Sequence, residues 1–267
     1  MTALAIRLEL RRSRLLAFWL AVIGVAYTAI IGAMYPIILD NAAAMEDYME
    51  IFPKEFLAAF GMSGSLADPG VFFTTYIGSF LWPVLAALAA IAMATRPVAA
   101  DVERGWSDVA LATPLTRTRA LLAAFLVQAL VLAVLAVVTV GGLLVAGAVV
   151  DAGFDAARFA AGGVVLWLFA CAVAGVTSLL GALTLSRSVA AGVAAGILIL
   201  MYLLNVVAQV QVDLAWLADF GAFRYLLTTE LIDDGVVPWA SLAVFAAAAL
   251  GGWAAALVAF ARRDLLA

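Results

Sequence analysis

The stretch PVAADVERGWSDVALATPLTRTR, residues 97–119, is a polar interruption between two long apolar runs. Its apolar residues recur at steps of four, four and three, a spacing that places them on one face of a helix; they are Val98, Val102, Trp106 and Val109. The Thr-Pro pair at 113–114 ends the pattern, because a residue before proline avoids the helical region. The sequence therefore predicts a short amphipathic helix over residues 97–113, which either lies on the lipid surface or is bound by a soluble partner.

The composition of the chain assigns it to the membrane. Apolar residues make up 67% and charged residues 12% of its 267 residues, against roughly half and a quarter in soluble domains. Six apolar runs reach the roughly 20 residues that a spanning helix needs; they cover residues 15–38, 71–95, 121–150, 159–185, 189–210 and 236–260. We predict an all-α membrane protein with six transmembrane helices that forms one domain over residues 1–267.

The stretch before the first run is basic and amphipathic. Arg7, Arg11 and Arg14 recur at helical spacing among leucine and isoleucine residues. Such a segment usually lies in the membrane interface with its arginines near anionic headgroups, which predicts an interface helix over residues 2–14. The alternative is that these arginines only set the topology.

Charge indicates how the spans are oriented. If both termini are cytosolic, 11 of the 14 basic residues lie on the cytosolic side, as the positive-inside rule requires. The 18 acidic residues divide the other way, with 5 inside and 13 outside, so the net charge is +6 inside and −10 outside. We therefore expect a multi-pass protein with both termini in the cytosol.

The connection before the last run, residues 211–237, is too long for a simple turn and is rich in aromatic residues. Among them are Trp216, Phe220, Phe223 and Tyr225. These side chains either anchor the ends of spans at the headgroup level or belong to a re-entrant segment that dips into the membrane.

The residue types in the chain exclude several kinds of chemistry. With no histidine and one cysteine, Cys171, there is no base for Ser–His or Cys–His catalysis and no ligand set for zinc or haem. The one lysine, Lys54, is followed by glutamate, so the chain has no phosphate-binding loop. The six runs contain no acid or base, which argues against a proton- or ion-driven carrier. We expect no catalysis and no cofactor in this chain.

The motif residues between 103 and 117 are Glu103, Gly105, Leu111, Pro114 and Arg117. They resemble the cytosolic signature of ABC exporter permeases of the ABC-two type, which show E-x-G, a short helix with leucines, and then P-x-x-R. The resemblance covers the whole chain, from the basic N-terminal helix through six spans, with the cytosolic helix between spans two and three. The outer stretch FPKEFLAAFG, residues 52–61, also resembles one that is common in prokaryotic members.

Two positions depart from the family pattern. Trp106-Ser107-Asp108 stands where Thr-Leu-Glu is usual, and the acids Asp101 and Glu103 are separated by a valine where adjacent acids are frequent. Both departures concern the contact with a partner rather than the membership of the family.

The resemblance implies a division of labour between chains. Two permeases, either two copies or a copy and a paralogue, would each dock on a separate cytosolic ABC ATPase, and the ATPases would bind ATP and Mg. The residues expected to couple to the ATPase are Glu103, Gly105, Pro114 and Arg117, which match the family motif, and Val102, Trp106 and Val109 on the apolar face of the predicted helix. The substrate path would run along the second and fifth spans, at Phe80, Trp82, Tyr202, Asn205 and Gln209.

A pair of glycines in the fifth run, Gly192 and Gly196, has the small-xxx-small spacing that suits close helix contact and is the candidate contact between two copies. The function expected from the resemblance is that of an exporter permease in a prokaryotic cell membrane, surrounded by lipid and without a nucleic acid partner. Two other functions remain open from the residues alone, a non-transporting scaffold or sensor subunit and a secondary carrier.

Overall fold

The computed structural model describes residues 2–53, 57, 64–78, 81–97, 116–152, 155–226, 231 and 235–262. The α-helices in these ranges are α1 (Thr2–Asp40), α2 (Ala42–Met49), α3 (Pro69–Gly78), α4 (Leu81–Ala94), α5 (Arg117–Val149), α6 (Ala156–Thr184), α7 (Arg187–Val210) and α8 (Trp239–Ala261). Two 3₁₀ helices, Val212–Phe220 and Ala222–Tyr225, lie between α7 and α8. No strand occurs within the described ranges, so the all-α prediction is confirmed for them.

Five of these helices are long and apolar enough to cross a membrane, namely α1, α5, α6, α7 and α8. They contain the first and fifth predicted runs, all but the last residue of the third and fourth, and most of the sixth. The second run, 71–95, corresponds to α3 and α4, and residues 79 and 80 between them lie outside the described part. Pro83 falls in the first turn of α4, where a proline is tolerated. The six-span count therefore stays a prediction.

The expected boundary between an interface helix and the first span is absent. Residues 2–14 and 15–38 belong to one unbroken helix, α1, which contains neither glycine nor proline before Gly24. Arg12 and Glu9, one turn apart on this helix, form an ion pair at 3.2 Å. With 39 residues, α1 is about 58 Å long, well beyond the roughly 30 Å of a hydrocarbon core.

The helix α6 occupies the centre of the bundle, in contact with α4, α5, α7 and α8. Its closest approach is to α8, where a Cβ added to Gly175 would lie 2.6 Å from the carbonyl oxygen of Ala249. A second close pair joins α1 and α5, where a Cβ on Gly32 would lie 2.6 Å from the Cβ of Ala146. Small residues thus bring backbones together, as is common between membrane helices.

Three hydrogen bonds from aromatic side chains connect further elements, one of them buried and two partly buried. The indole N–H of Trp82 on α4 donates to the hydroxyl of Thr139 on α5 at 2.7 Å. The indole N–H of Trp167 on α6 donates to the carbonyl of Ala129 on α5 at 2.9 Å. The hydroxyl of Tyr35 on α1 donates to the carbonyl of Ala67 at 2.8 Å. Each bond satisfies a polar group in an apolar interior, where leaving it unpaired is costly.

The connection between α6 and α7 is as tight as the sequence predicts. The helix α6 ends at Thr184, and Leu185 has a φ of 51°, in the left-handed region that commonly ends helices. The next residue, Ser186, is the N-cap of α7. These two residues alone reverse the chain, so α6 and α7 run antiparallel.

Candidate functional site

Most of the predicted coupling helix lies outside the described residues. Positions 98–115 contain six of its seven assigned residues: Val102, Glu103, Gly105, Trp106, Val109 and Pro114. The seventh, Arg117, is the first residue of α5. The segment is therefore located by its two flanks, which are residues 95–97 and the start of α5.

The flank at residues 95–97 lies beside the N-terminal part of α1. The guanidinium of Arg96 donates to the backbone carbonyl of Arg12 at 3.4 Å. On the other flank, Thr116 caps α5 by accepting a hydrogen bond from the backbone N–H of Arg119 at 3.4 Å. The amphipathic segment therefore begins next to the basic stretch of α1.

The helices α1 and α5 run parallel. Gly24 is packed against Val138 and Leu135, and Gly32, two turns later, is packed against Ala146. Their N-terminal ends consequently point the same way. Because α6 is antiparallel to α5 and parallel to α8, the ends of α6 and α8 and the start of α7 lie at this same end of the bundle.

This arrangement separates charge between the two ends of the bundle. We call the end that carries the start of α1 the basic end; its described basic residues are Arg7, Arg11, Arg12, Arg14, Arg96, Arg119, Arg187 and Arg262. The opposite end carries mainly carboxylates: Asp40, Glu46, Asp47, Asp68, Asp151, Asp155 and Asp213. The uneven division of charge that the sequence predicted is thus present in the fold, while its orientation across a membrane stays a prediction.

The residues predicted to line the substrate path do not share one surface in the structure. Phe80 lies outside the described residues. Trp82 is 2% exposed and faces α5, where it bonds Thr139. Tyr202 lines an apolar groove of about 380 Å³ between α4 and α7, together with Pro83 and Leu88. The structure therefore brings the second and fifth runs together at Tyr202, and Trp82 is not part of that groove.

The other two path residues lie further along α7. Asn205 packs beside Gly221, where an added Cβ would lie 3.8 Å from the Asn205 Cβ. Gln209 is partly exposed in the last turn of α7. Both are close to the end of the bundle that carries the carboxylates.

The helix α7 is the least covered of the long helices. In its most apolar 18-residue stretch 11% of the residues are buried, against 67% in α6. A Cβ added to Gly192 or Gly196 would meet nothing within 4 Å. Neither glycine makes a close contact with the described part of the chain, and their role as a contact between two copies stays a prediction.

After α7 the chain folds back along the helix that it has just left; we call residues 212–225 the folded-back segment. At Gly221 an added Cβ would lie 3.2 Å from the carbonyl oxygen of Met201, which is about 14 Å along α7 from its end at Val210. The Phe223 ring contacts the rings of Tyr202 and Phe169, with centroids 5.2 and 6.1 Å apart. This geometry favours the re-entrant alternative over anchoring at the headgroup level.

An ion pair within this segment was missed from the sequence. Asp219 and Arg224 are paired on either side of Gly221, and each side chain is about half exposed, at 56% and 51%. From the sequence both residues count as charges of an outer loop, because nothing in the spacing shows that the loop returns along α7. The one signal was a glycine between opposite charges in an aromatic stretch.

Within the described ranges, no group of three or more His, Cys, Asp or Glu side chains could hold a metal ion. The family described as ABC-2 family transporter protein matches residues 7–265, nearly the full length of the chain. No curated protein matches it.

Proposed function

The chain belongs to the ABC-2 family of transporter proteins, and is thus a membrane permease of an ABC transporter, and on this premise we propose that it serves an ATP-driven exporter. In this proposal two permeases pair, and each is driven by a separate cytosolic ABC ATPase that binds ATP and Mg. The pair is made of two copies or of one copy and a paralogue. Both termini lie in the cytosol of a prokaryotic cell, and the permease spans its cell membrane.

The observation that carries the proposal is that the two described flanks of the amphipathic segment, Arg96 and Thr116, lie at the basic end of the bundle. The hydrogen bond from Arg96 to the carbonyl of Arg12 supports a start of the segment beside the N-terminal part of α1. A movement of this segment driven by an ATPase would therefore be transmitted to α1 and, through α5, to the core of the bundle. The basic end is also the one that the positive-inside rule assigns to the cytosol, where an ATPase resides.

The substrate path of the proposed exporter lies between α4 and α7 of the two permeases. The groove at Tyr202 and the uncovered face of α7 are both apolar. Two copies that meet along α7 would cover this face and enclose a path lined by Tyr202, Asn205 and Gln209, with Phe80 as a further predicted member. Such a lining suits amphipathic cargo.

The test is to co-express the chain with candidate ABC ATPases from the same genome and to purify by a tag on the permease. An exporter permease retains the ATPase, and the complex in nanodiscs hydrolyses ATP faster than the ATPase alone. Recovery of the permease without its ATPase contradicts the proposal and favours a scaffold or sensor. Transport by vesicles that lack every ATPase would favour a secondary carrier.

A further inference from the structure

An apolar groove lies between α1 and α5 near the basic end of the bundle. Its volume is about 490 Å³, within the range of about 300–1,000 Å³ that is usual for the site of an organic molecule. The helix α5 contributes Leu130, Val131 and Val134. The helix α1 lines the groove from Leu10 to Ala21, which corresponds to about 16 Å along the helix axis. The groove is therefore long and apolar, as the binding of a hydrocarbon chain requires.

Small side chains on α1 leave the space that the groove occupies. Ser13, Ala17 and Ala21 recur at steps of four on one side of α1 and line the groove. At its sides, Phe18 and Leu130 are 58% and 46% exposed. The groove is thus open to the surroundings of the bundle, which along a membrane-spanning helix are lipid acyl chains.

One rim of the groove is cationic. Arg14 lines the groove and is exposed. Arg7 lies two turns earlier on the same face of α1, and Arg11 lies close to that face. Among the described residues, none of these three arginines forms an ion pair with a carboxylate. The one acid of this stretch, Glu9, pairs with Arg12 on the opposite side of α1. The three guanidinium groups are therefore available to an anion.

A phospholipid with a net negative charge matches both parts of this groove. Arginine binds a phosphate through two parallel N–H···O bonds, and clustered basic residues beside a membrane attract anionic lipids. The choline of a zwitterionic lipid would instead bring a further cation beside the three arginines. An acyl chain in the groove adds apolar contact that a free phosphate lacks.

Two contacts favour lipid over protein as the occupant. The helix α7, on which two copies are proposed to meet, packs against α6 and α4, whereas the groove is formed by α1 and α5. Arg96, from which the amphipathic segment continues, bonds the carbonyl of Arg12, and Arg12 lies about 200° around α1 from Arg14. A second copy and the start of the amphipathic segment are therefore both expected on other sides of the bundle.

We propose that this groove binds one anionic phospholipid from the leaflet at the basic end of the bundle. Its acyl chain lies between α1 and α5, and its phosphate is bound by Arg14, with Arg7 and Arg11 close by. Such binding differs from the general attraction of a basic stretch to headgroups, because one lipid is held on one side of α1. It requires only a chain that spans a membrane, and so it holds whether or not the permease serves an exporter.

Two lipids with identical acyl chains test the headgroup: dioleoylphosphatidylglycerol, which is anionic, and dioleoylphosphatidylcholine, which is zwitterionic. Each is titrated into the purified full permease in a neutral detergent, and native mass spectrometry measures the fraction of permease that retains one lipid. Phosphatidylglycerol is expected to bind roughly fivefold tighter or more, the contribution of one basic residue near an anionic surface. Equal affinities for the two lipids overturn the proposal.

The cationic rim is tested with Arg14→Gln. This variant is expected to lower the preference for phosphatidylglycerol about fivefold. Arg262→Gln is the matched control, because it removes the same charge from an exposed residue at the end of α8, at the same end of the bundle. It is expected to leave the affinity for both lipids unchanged. Equal weakening of phosphatidylglycerol binding by the two variants shows a diffuse attraction to the basic end and contradicts the proposal.

The groove is tested with Val134→Phe, whose larger side chain occupies space between α1 and α5. Because Val134 is 43% exposed, this variant is expected to fold. Both lipids should bind about fourfold more weakly, the value of one methylene displaced from an apolar site. Val137→Phe is the matched control, since Val137 is 70% exposed and lines a different groove, between α5 and α6. If Val134→Phe binds both lipids as tightly as Val137→Phe does, another part of the protein covers the groove and the proposal is wrong.

Discussion

Gly252 lies against Gly175 so closely that a Cβ on Gly252 would stand 2.4 Å from the carbonyl carbon of Gly175. The backbones of α8 and α6 therefore touch at this point. Phe169 and Phe245, further along the same pair of helices, meet edge to face. At this contact between α6 and α8, even a small increase in side-chain size has little room.

Gly252→Ala is expected to destabilise the bundle by about 1–3 kcal/mol, because the added methyl must push apart two backbones that cannot yield locally. Gly251→Ala is the matched control, since a Cβ there meets nothing within 4 Å. The measurement is the thermal unfolding midpoint in one detergent at one scan rate, as membrane proteins often unfold irreversibly. Equal midpoints for the two variants would show that α6 and α8 are not in backbone contact at Gly252.

Thr139→Val is expected to cost about 1–3 kcal/mol, because it leaves the indole N–H of Trp82 buried and unpaired. Trp82→Phe removes the donor instead, and Thr139 keeps its bond to the Leu135 carbonyl. The double variant should therefore lose less stability than the two single variants lose in total. Additive losses in the unfolding midpoints would argue against the bond between α4 and α5.

The topology predicts opposite labelling of two introduced cysteines in a Cys171→Ala background. Asp47→Cys, on exposed α2, should react with an impermeant thiol reagent added to intact cells. Asp108→Cys should react only after the cells are opened, because the positive-inside rule places it in the cytosol. The reverse pattern would invert the orientation.

The uncovered face of α7 predicts where two permeases meet. Gly192→Leu and Gly196→Leu should each weaken pairing, because a large side chain holds the two backbones apart. Gly251→Leu on α8 is the control, since it is equally open within the chain but lies on another helix. Cysteine crosslinks between α7 helices report the result, and crosslinks that persist unchanged in both α7 variants place the contact elsewhere.

Hydropathy and charge were sufficient to predict the helical membrane architecture. Apolar runs of 22–30 residues have few alternatives to a helix in lipid, and α5, α6 and α7 contain nearly all of their predicted runs. The uneven charge follows directly from the position of each arginine relative to the runs. The unbroken α1 was not predicted, because a change from amphipathic to apolar sequence suggested an end where no helix-breaking residue stands.

Contacts between distant parts of the chain could not be predicted from the sequence. Gly192 and Gly196 were predicted as a contact between two copies, which stays a prediction, whereas nothing in the sequence predicted the close approach at Gly175 and Gly252 within the chain. The spacing of small residues does not identify the partner helix in a chain with 21 glycines. Likewise, Asp219 and Thr177 line one cavity only because residues 212–225 return along α7.

We propose that the amphipathic segment, residues 97–113, binds a cytosolic ABC ATPase. Trp106 is the largest side chain on its apolar face, and a buried aromatic residue at an interface is often worth about 2 kcal/mol or more. Trp239→Ala is the control, because Trp239 is 74% exposed at the opposite end of the bundle. Glu103→Ala tests the acid of the same segment.

The decisive measurement is the affinity of the purified ATPase for the full permease in nanodiscs, compared among these variants. The account predicts that Trp106→Ala weakens binding about thirtyfold or more, that Glu103→Ala weakens it to a smaller extent, and that Trp239→Ala leaves it unchanged. If Trp106→Ala and Glu103→Ala both bind the ATPase as tightly as the unmodified permease, the segment is a lipid-surface helix and the account is wrong.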